Sequence, residues 1–358
     1  MKSVSEKSLY RAVFGLIISV LTITGAQAGL GSSNSVDWRP SLMVKSPENV
    51  ALLDLVRHDG RLIALGERGV IILSEDEGQS WTQADVPVDV SLTAIEFVDE
   101  NTGWAVGHRG VLLKSTNGGR SWQFQRDGAY FAKLAMKSFE QSGIDDPYRK
   151  QSYEYLVQDG ADKPLLDVRF LNPDEGYVIG SYGLAFRTTD GGISWHSVME
   201  RIDNPSKFHL NTIVETEEHL LIVGEMGGVY LSDKARPDFR LVEDIPYEGS
   251  YFVAETISGE RVVIGGLQGH VFIYDLTSDE WTEVTIPEVE NGITHLTHAG
   301  NGIVWIASLD GLIARYDIHS RTYELMNQVA PMLTAILELP GNTLGLTSLH
   351  GYTEATYR

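Results

Sequence analysis

AVGHRGVLLKSTNGGRSW, residues 105–122, decides the fold, because the chain repeats it. ALGERGVIILSEDEGQSW occupies 64–81 and VIGSYGLAFRTTDGGISW occupies 178–195. Looser copies follow as IVGEMGGVYLSD (222–233), VIGGLQGHVFIYDLTSDEW (263–281) and WIASLDGLIARYD (305–317), and LGLTSLHGYTEATYR (344–358) is a half-copy. The second glycine of each copy falls at 69, 110, 183, 227, 269, 311 and 351, at spacings of 41, 73, 44, 42, 42 and 40 residues. Six intervals make seven units, one interval carrying an insertion.

Each unit reads as four short strands. In the second, Leu92–Phe97 alternates apolar and polar positions, Trp104–Gly107 and Val111–Lys114 flank a tight turn, and Ser121–Phe124 follows another. Four strands in about 40–45 residues is the signature of a propeller blade. The expectation is an all-β, seven-bladed β-propeller, one domain over 29–358. The last unit stops after its third strand, and Ser35–Leu42 carries Trp38 where other units carry a tryptophan. The N-terminal strand is therefore expected to close the ring as the outer strand of the last blade, removing an open edge.

Composition narrows the class. The 358 residues hold no cysteine, which excludes disulfides, thiolate metal sites and cysteine nucleophiles. A formal charge of −21 repels phosphate backbones, so no nucleic-acid partner is expected. Lys2, Lys7 and Arg11 precede a 13-residue apolar run, Ala12–Thr24, and Ala26-Gln27-Ala28 reads as a cleavage site. Residues 1–28 are read as a signal peptide cleaved near Ala28. The mature protein is expected to be periplasmic or secreted, monomeric and not inserted in a membrane.

The turn after each third strand has its own chemistry. Ser74-x-Asp76-x-Gly78-x-x-Trp81 recurs as Ser115-x-Asn117-x-Gly119-x-x-Trp122 and Thr188-x-Asp190-x-Gly192-x-x-Trp195. A short acid or amide can accept backbone N–H groups across a hairpin, and glycine supplies the left-handed position. Recurrence in successive units makes these staples rather than catalytic or metal-binding aspartates. They are Asp boxes as in sialidase-like propellers. Joined with the G-x-x-G turn and Phe97-Val98-Asp99 before Gly103-Trp104, the pattern resembles the photosystem II stability/assembly factor-like family. The resemblance is strongest over residues 50–200. It implies an exported, non-catalytic scaffold for assembling a membrane complex, with no cofactor and no metal.

If the Asp box joins third and fourth strands, the G-x-x-G turn joins second and third strands on the opposite face. That face would display Arg68, Arg109, Tyr182, Met226, Gln268, Asp310 and His350. Arg68 and Arg109, equivalent on adjacent blades, would suit a carboxylate or an acidic peptide tail; pairing with a neighbouring acid such as Glu67 is the alternative. The resemblance implies an arginine-rich partner patch. The insertion, 127–164, reads as a helical hairpin on the same face. Phe131, Leu134, Ala135 and Phe139 share one side of its first helix, and Tyr148, Ser152, Tyr155 and Leu156 line the second. It serves either as a cap or as a recognition element. His295 and His298 lie three apart on a strand, face opposite sides and share no metal.

The leading expectation is a protein-binding assembly factor for an envelope complex. Two alternatives stand beside it: a secreted Asp-box glycoside hydrolase, and a periplasmic small-ligand-binding accessory protein of a transporter.

Overall fold

The computed structural model describes residues 37–326 and 332–357. Residues 1–28, expected to be a signal peptide, lie outside them. Seven antiparallel sheets span 52–83, 92–126, 165–197, 210–241, 251–283, 293–325 and 333–356. Strand order is sequential in each, with four strands in the first six and three in the seventh. The first strands adjoin one another round a full circuit, the last against the first, so the sheets form a seven-bladed propeller. Each second strand is covered on both faces by neighbouring blades, which is why Arg61–Gly66, Gly103–Gly107 and Gly176–Gly180 are buried throughout. The first strands alternate instead, because one of their edges meets an axial channel.

Polar residues of the first strands tie each blade to the next, donating to or accepting from its backbone. Asp54 accepts from Ile95 N at 3.0 Å, Glu96 from Phe170 N at 2.5 Å and Asp167 from Ile213 N at 2.8 Å. Asn211 Nδ2 donates to Tyr251 O at 2.7 Å, Glu255 accepts from the backbone of His298, and Thr297 Oγ1 donates to Ile336 O at 2.5 Å. Thr334 Oγ1 donates to Leu52 O at 2.8 Å and so bridges the last blade to the first. Every seam has its own bridge.

That last bridge bears on how the ring closes. The expected N-terminal closing strand is not formed by the described part of Ser35–Leu42. Residues 37–46 run instead along the rim of blades two and one. Trp38 packs on Phe124, 5.3 Å between rings, Ser41 N donates to Val86 O at 3.0 Å, and Gln83 holds Leu42 O and Val44 N. The partners explain the path: Phe124 and the buried Gln83 offer an aromatic face and an amide that satisfies the strap's backbone. The seam between blades seven and one closes by packing, with Ala335 and Leu339 among Leu52, Leu55 and Leu62, and Trp81 edge-on to Tyr352 at 4.8 Å.

The insertion forms α1 (Gly128–Ser142) and α2 (Pro147–Asp159) between blades two and three. Asp127 caps α1 by accepting from Tyr130 N at 3.0 Å, and Asp146 caps α2 through Tyr148 N and Arg149 N. Phe131, Ala135 and Phe139 are buried as expected, Phe131 lying 4.5 Å from the ring of Phe186 in blade three. The face expected for α2 is wrong in part. Tyr153 and Leu156 are the buried pair, while Tyr148 is 85% and Tyr155 54% exposed. Arg149 and Tyr153 both reach Glu200, and this anchor sets the rotation of the helix.

Candidate partner-binding face

The G-x-x-G turns share one backbone shape. Arg68, Arg109, Tyr182, Met226 and Gln268 take φ of 54°, 60°, 57°, 54° and 58°. The residue before each accepts a hydrogen bond from the residue two beyond it, as Val70 N donates to Glu67 O at 3.0 Å. Left-handed φ tilts these five side chains out of the turn, and all are exposed. Because the strands of a blade run in sequence, every turn from second to third strand lies at one end of the ring. The five therefore share a face.

Asp310 and His350 do not fully join them. Asp310 is half-buried, its carboxylate held by Ser308 Oγ at 2.5 Å and Asn291 Nδ2 at 2.9 Å. In that blade Gly311 keeps the positive φ of the turn's second glycine, but Asp310 does not take one. His350 is exposed, but its turn is one residue shorter, with Ser348 paired directly to Gly351.

Among the described residues neither Arg68 nor Arg109 lies in an ion pair, so Glu67 does not neutralise its neighbour. Arg109 stands over the ring of Trp38 at 5.7 Å, and Lys163 stands over Tyr182 at 4.8 Å. The helical hairpin borders the same face: a Cβ on Gly110 would lie 2.5 Å from Gly128 at the start of α1. Lys207, beside the Tyr182 turn, donates to Ser152 of α2 at 2.6 Å. Burial under α2 lowers Lys207 to about 8, and the charge of Arg149 adds to the shift.

The opposite end carries the Ser-x-Asp-x-Gly turns. Asp76 Oδ1 accepts from Ser80 N at 2.8 Å and Asp190 Oδ1 from Ser194 N at 2.8 Å, while Asn117 Oδ1 accepts from Ser121 N at 3.0 Å. Ser74, Ser115 and Thr188 hydroxyls accept from the N–H of Gly78, Gly119 and Gly192. Hydrogen bonds from Ser194 hold Asp190 down at about 2. All three turns are hairpin staples.

The family profile described as photosynthesis system II assembly factor YCF48 matches residues 20–116, 79–142 and 148–239, more than half of the chain. The chain belongs to the YCF48 family. Among solved structures, YCF48 bound to a D1 peptide superposes with a TM-score of 0.62 at 16% identity, over 91% of this chain and 98% of that one. YCF48 from Cyanidioschyzon merolae gives 0.62 at 14%, over 88% and 98%. The WD40 propeller domain of Doa1 gives 0.60 at 10%, over 88% and 95%, so the architecture extends beyond YCF48. No curated protein matches the sequence.

The axial channel of this YCF48-family chain, about 510 Å³, holds charges that sequence reading did not nominate. Arg169 Nη1 lies 2.9 Å from Glu96 Oε1, with Asp54, Asp167 and Glu255 around the same channel. Burial pushes Asp54 and Asp167 up to about 6 and Glu96 and Glu255 up to about 7, against the pull of Arg169. Burial alone brings His295 down to about 4. The signal was present in the sequence: these residues occupy the third and fifth positions of aligned first strands, Asp54 with Asp167 and His295, Glu96 with Arg169 and Glu255. Among the described residues no group of three or more His, Cys, Asp or Glu is placed to hold a metal, and no helix is long and apolar enough to cross a membrane.

Proposed function

We propose that the protein is an exported, non-catalytic scaffold that captures a segment of a membrane protein complex on the face bearing Arg68 and Arg109, and so assists assembly or stability of that complex. One observation carries the reading. Arg, Arg, Tyr, Met and Gln are held in a left-handed conformation that glycine or asparagine would adopt with less strain, by roughly 1 kcal/mol each. Five exposed side chains kept in that state on one face fit a recognition role better than a packing role. Arg68 and Arg109, free of carboxylate partners among the described residues, suit an acidic peptide tail. Family membership supports this, as does the solved complex of YCF48 with a D1 peptide.

A hydrolytic reading gains nothing from the channel, since Asp54, Glu96, Asp167 and Glu255 are each tied to the backbone of a neighbouring blade. Tagged protein cross-linked in cells and recovered from solubilised envelope should bring down one membrane complex, and its N-terminus should begin at Gly29. Arg68→Glu with Arg109→Glu should abolish that capture at an unchanged melting temperature. Arg120→Glu, on the opposite end and already paired with Glu75 at 2.7 Å, should leave it intact. Equal capture by all three proteins would remove the assigned face.

A further inference from the structure

The third strand of the seventh blade, Gly351–Thr356, is the outermost in its sheet among the described residues, whereas a fourth strand flanks its counterpart in each of the other six. Tyr357 N donates inward to Asn342 O at 2.9 Å. By the two-residue alternation of a strand, the N–H and C=O groups of Tyr352, Glu354 and Thr356 then face outward. No described residue bonds to them.

In other blades the equivalent groups are used. Ala84 N donates to Ile71 O at 2.8 Å, Val198 N to Ala185 O at 3.0 Å, Val242 N to Val229 O at 2.8 Å, Val284 N to Val271 O at 2.9 Å and Met326 N to Ile313 O at 2.9 Å. Pairing aligns Tyr352 with Ile313, since Thr347 faces the one as Ala307 faces the other. Free edges are ordinarily blunted by charged side chains, lysine above all, by proline or by a bulge. Tyr352–Thr356 carries a single charge, Glu354, with no lysine or proline, and its register with the second strand runs without a shift.

We propose that this edge accepts a fourth strand from another polypeptide, an extended segment with an aromatic residue opposite Ala355 and a basic residue opposite Glu354. The sheet supplies both requirements. In blades five and six the fourth strand sets Trp281 opposite Tyr274 and Tyr323 opposite Tyr316. The equivalent residue in blade seven is Ala355, small enough to leave room for a ring beside the partly buried Met326 and Tyr357. One residue earlier, Arg315 faces Glu324 in blade six. Glu354 stands in place of Arg315 and reverses the sign, so the incoming residue is a lysine or arginine.

The chain has such a pair in Trp38-Arg39. It is held elsewhere, Trp38 between Phe124 and Arg109 and Ser41 on Val86, which is why the occupant is assigned to a second polypeptide. The edge lies apart from the Arg68 and Arg109 turns, so this inference does not depend on the function proposed above.

The probe is the capped peptide Arg-Thr-Tyr-Lys-Leu-Met, the fourth strand of blade six with lysine replacing Glu324, titrated into the isotope-labelled full chain. Saturable shifts confined to residues 351–357 and to the neighbouring Trp305 and Met326 are expected. The same peptide with glutamate in place of lysine should bind about fivefold more weakly, and Glu354→Lys should reverse that order. Glu354→Pro removes an outward N–H, a change an edge tolerates, and should abolish binding. Should its melting temperature fall, Thr356→Pro gives the same test one pair further along. Arg68→Glu with Arg109→Glu should change nothing. Shifts that map elsewhere, binding indifferent to the proline variants, or no saturable shift at all would overturn the proposal. So would binding seen only after residues up to Val44 are removed, because the occupant would then be the chain's own strand.

Discussion

At the scale of single residues, the glycine of the Ser-x-Asp-x-Gly turn does more than bend the chain. A Cβ on Gly192 would stand 2.1 Å from the Trp104 ring, and one on Gly78 would stand 2.4 Å from the Tyr352 hydroxyl. These two glycines are thus seats for an aromatic residue of the preceding blade. Gly192→Ala combines overpacking with a left-handed φ of 82° and should destabilise the fold by about 2–4 kcal/mol. Gly60→Ala, equally left-handed but with nothing near its Cβ, should cost only about 1 kcal/mol. Denaturant unfolding of the two variants separates close approach from backbone strain. Glu255 offers a second test. Its carboxyl rises from 4.5 to about 7 in the folded chain, chiefly through burial, so the folded state keeps a proton that the unfolded chain releases. The stability it contributes is complete below the unfolded value and is lost as pH rises through the folded one. Between pH 5 and 8 the wild type should lose more melting temperature than Glu255→Gln, which still accepts from His298.

At the scale of elements, what was legible followed from periodicity. Apolar second strands, alternating first strands and the glycine spacing gave seven units and the place of the insertion. Asp146 followed by Pro147 is a local capping signal for the start of α2. The buried face of α2 was not legible. Its rotation is set by Glu200, about fifty residues away, which holds Arg149 and Tyr153, and a helix's own spacing carries no trace of such a partner. The strap at 37–46 failed for a related reason. Trp38 matches the repeat, yet Phe124, Arg109 and Gln83 give it a different place. Of the candidate face, five of seven positions share one backbone because the turn is local. Asp310 departs because Asn291 and Ser308 compete for its carboxylate.

At the scale of the molecule, the ring is a set of blades bridged one by one at the axis. The junction of blades seven and one has no described strand crossing it and relies on Thr334, a leucine-rich contact and Tyr352 against Trp81. It should open first. Hydrogen exchange should find the inward-facing amides of Thr353 and Ala355 less protected than the equivalent ones of Tyr230 and Ser232. Thr334→Val, which removes the donor to Leu52 O at nearly constant volume, should cost about 1 kcal/mol and speed exchange there before it does so in blades three to five. Equal protection across blades would mean that the junction is as firm as the rest. The left-handed turns have a different consequence. The side chain at each tip takes no part in holding its blade, so its identity is open to change while the flanking glycine and strands stay fixed. Arg, Arg, Tyr, Met and Gln already stand on one backbone shape. Specificity on this surface can therefore be rewritten one letter at a time, in evolution or by library selection, and exchanges among side chains that bear the same left-handed strain leave the scaffold's stability almost where it was.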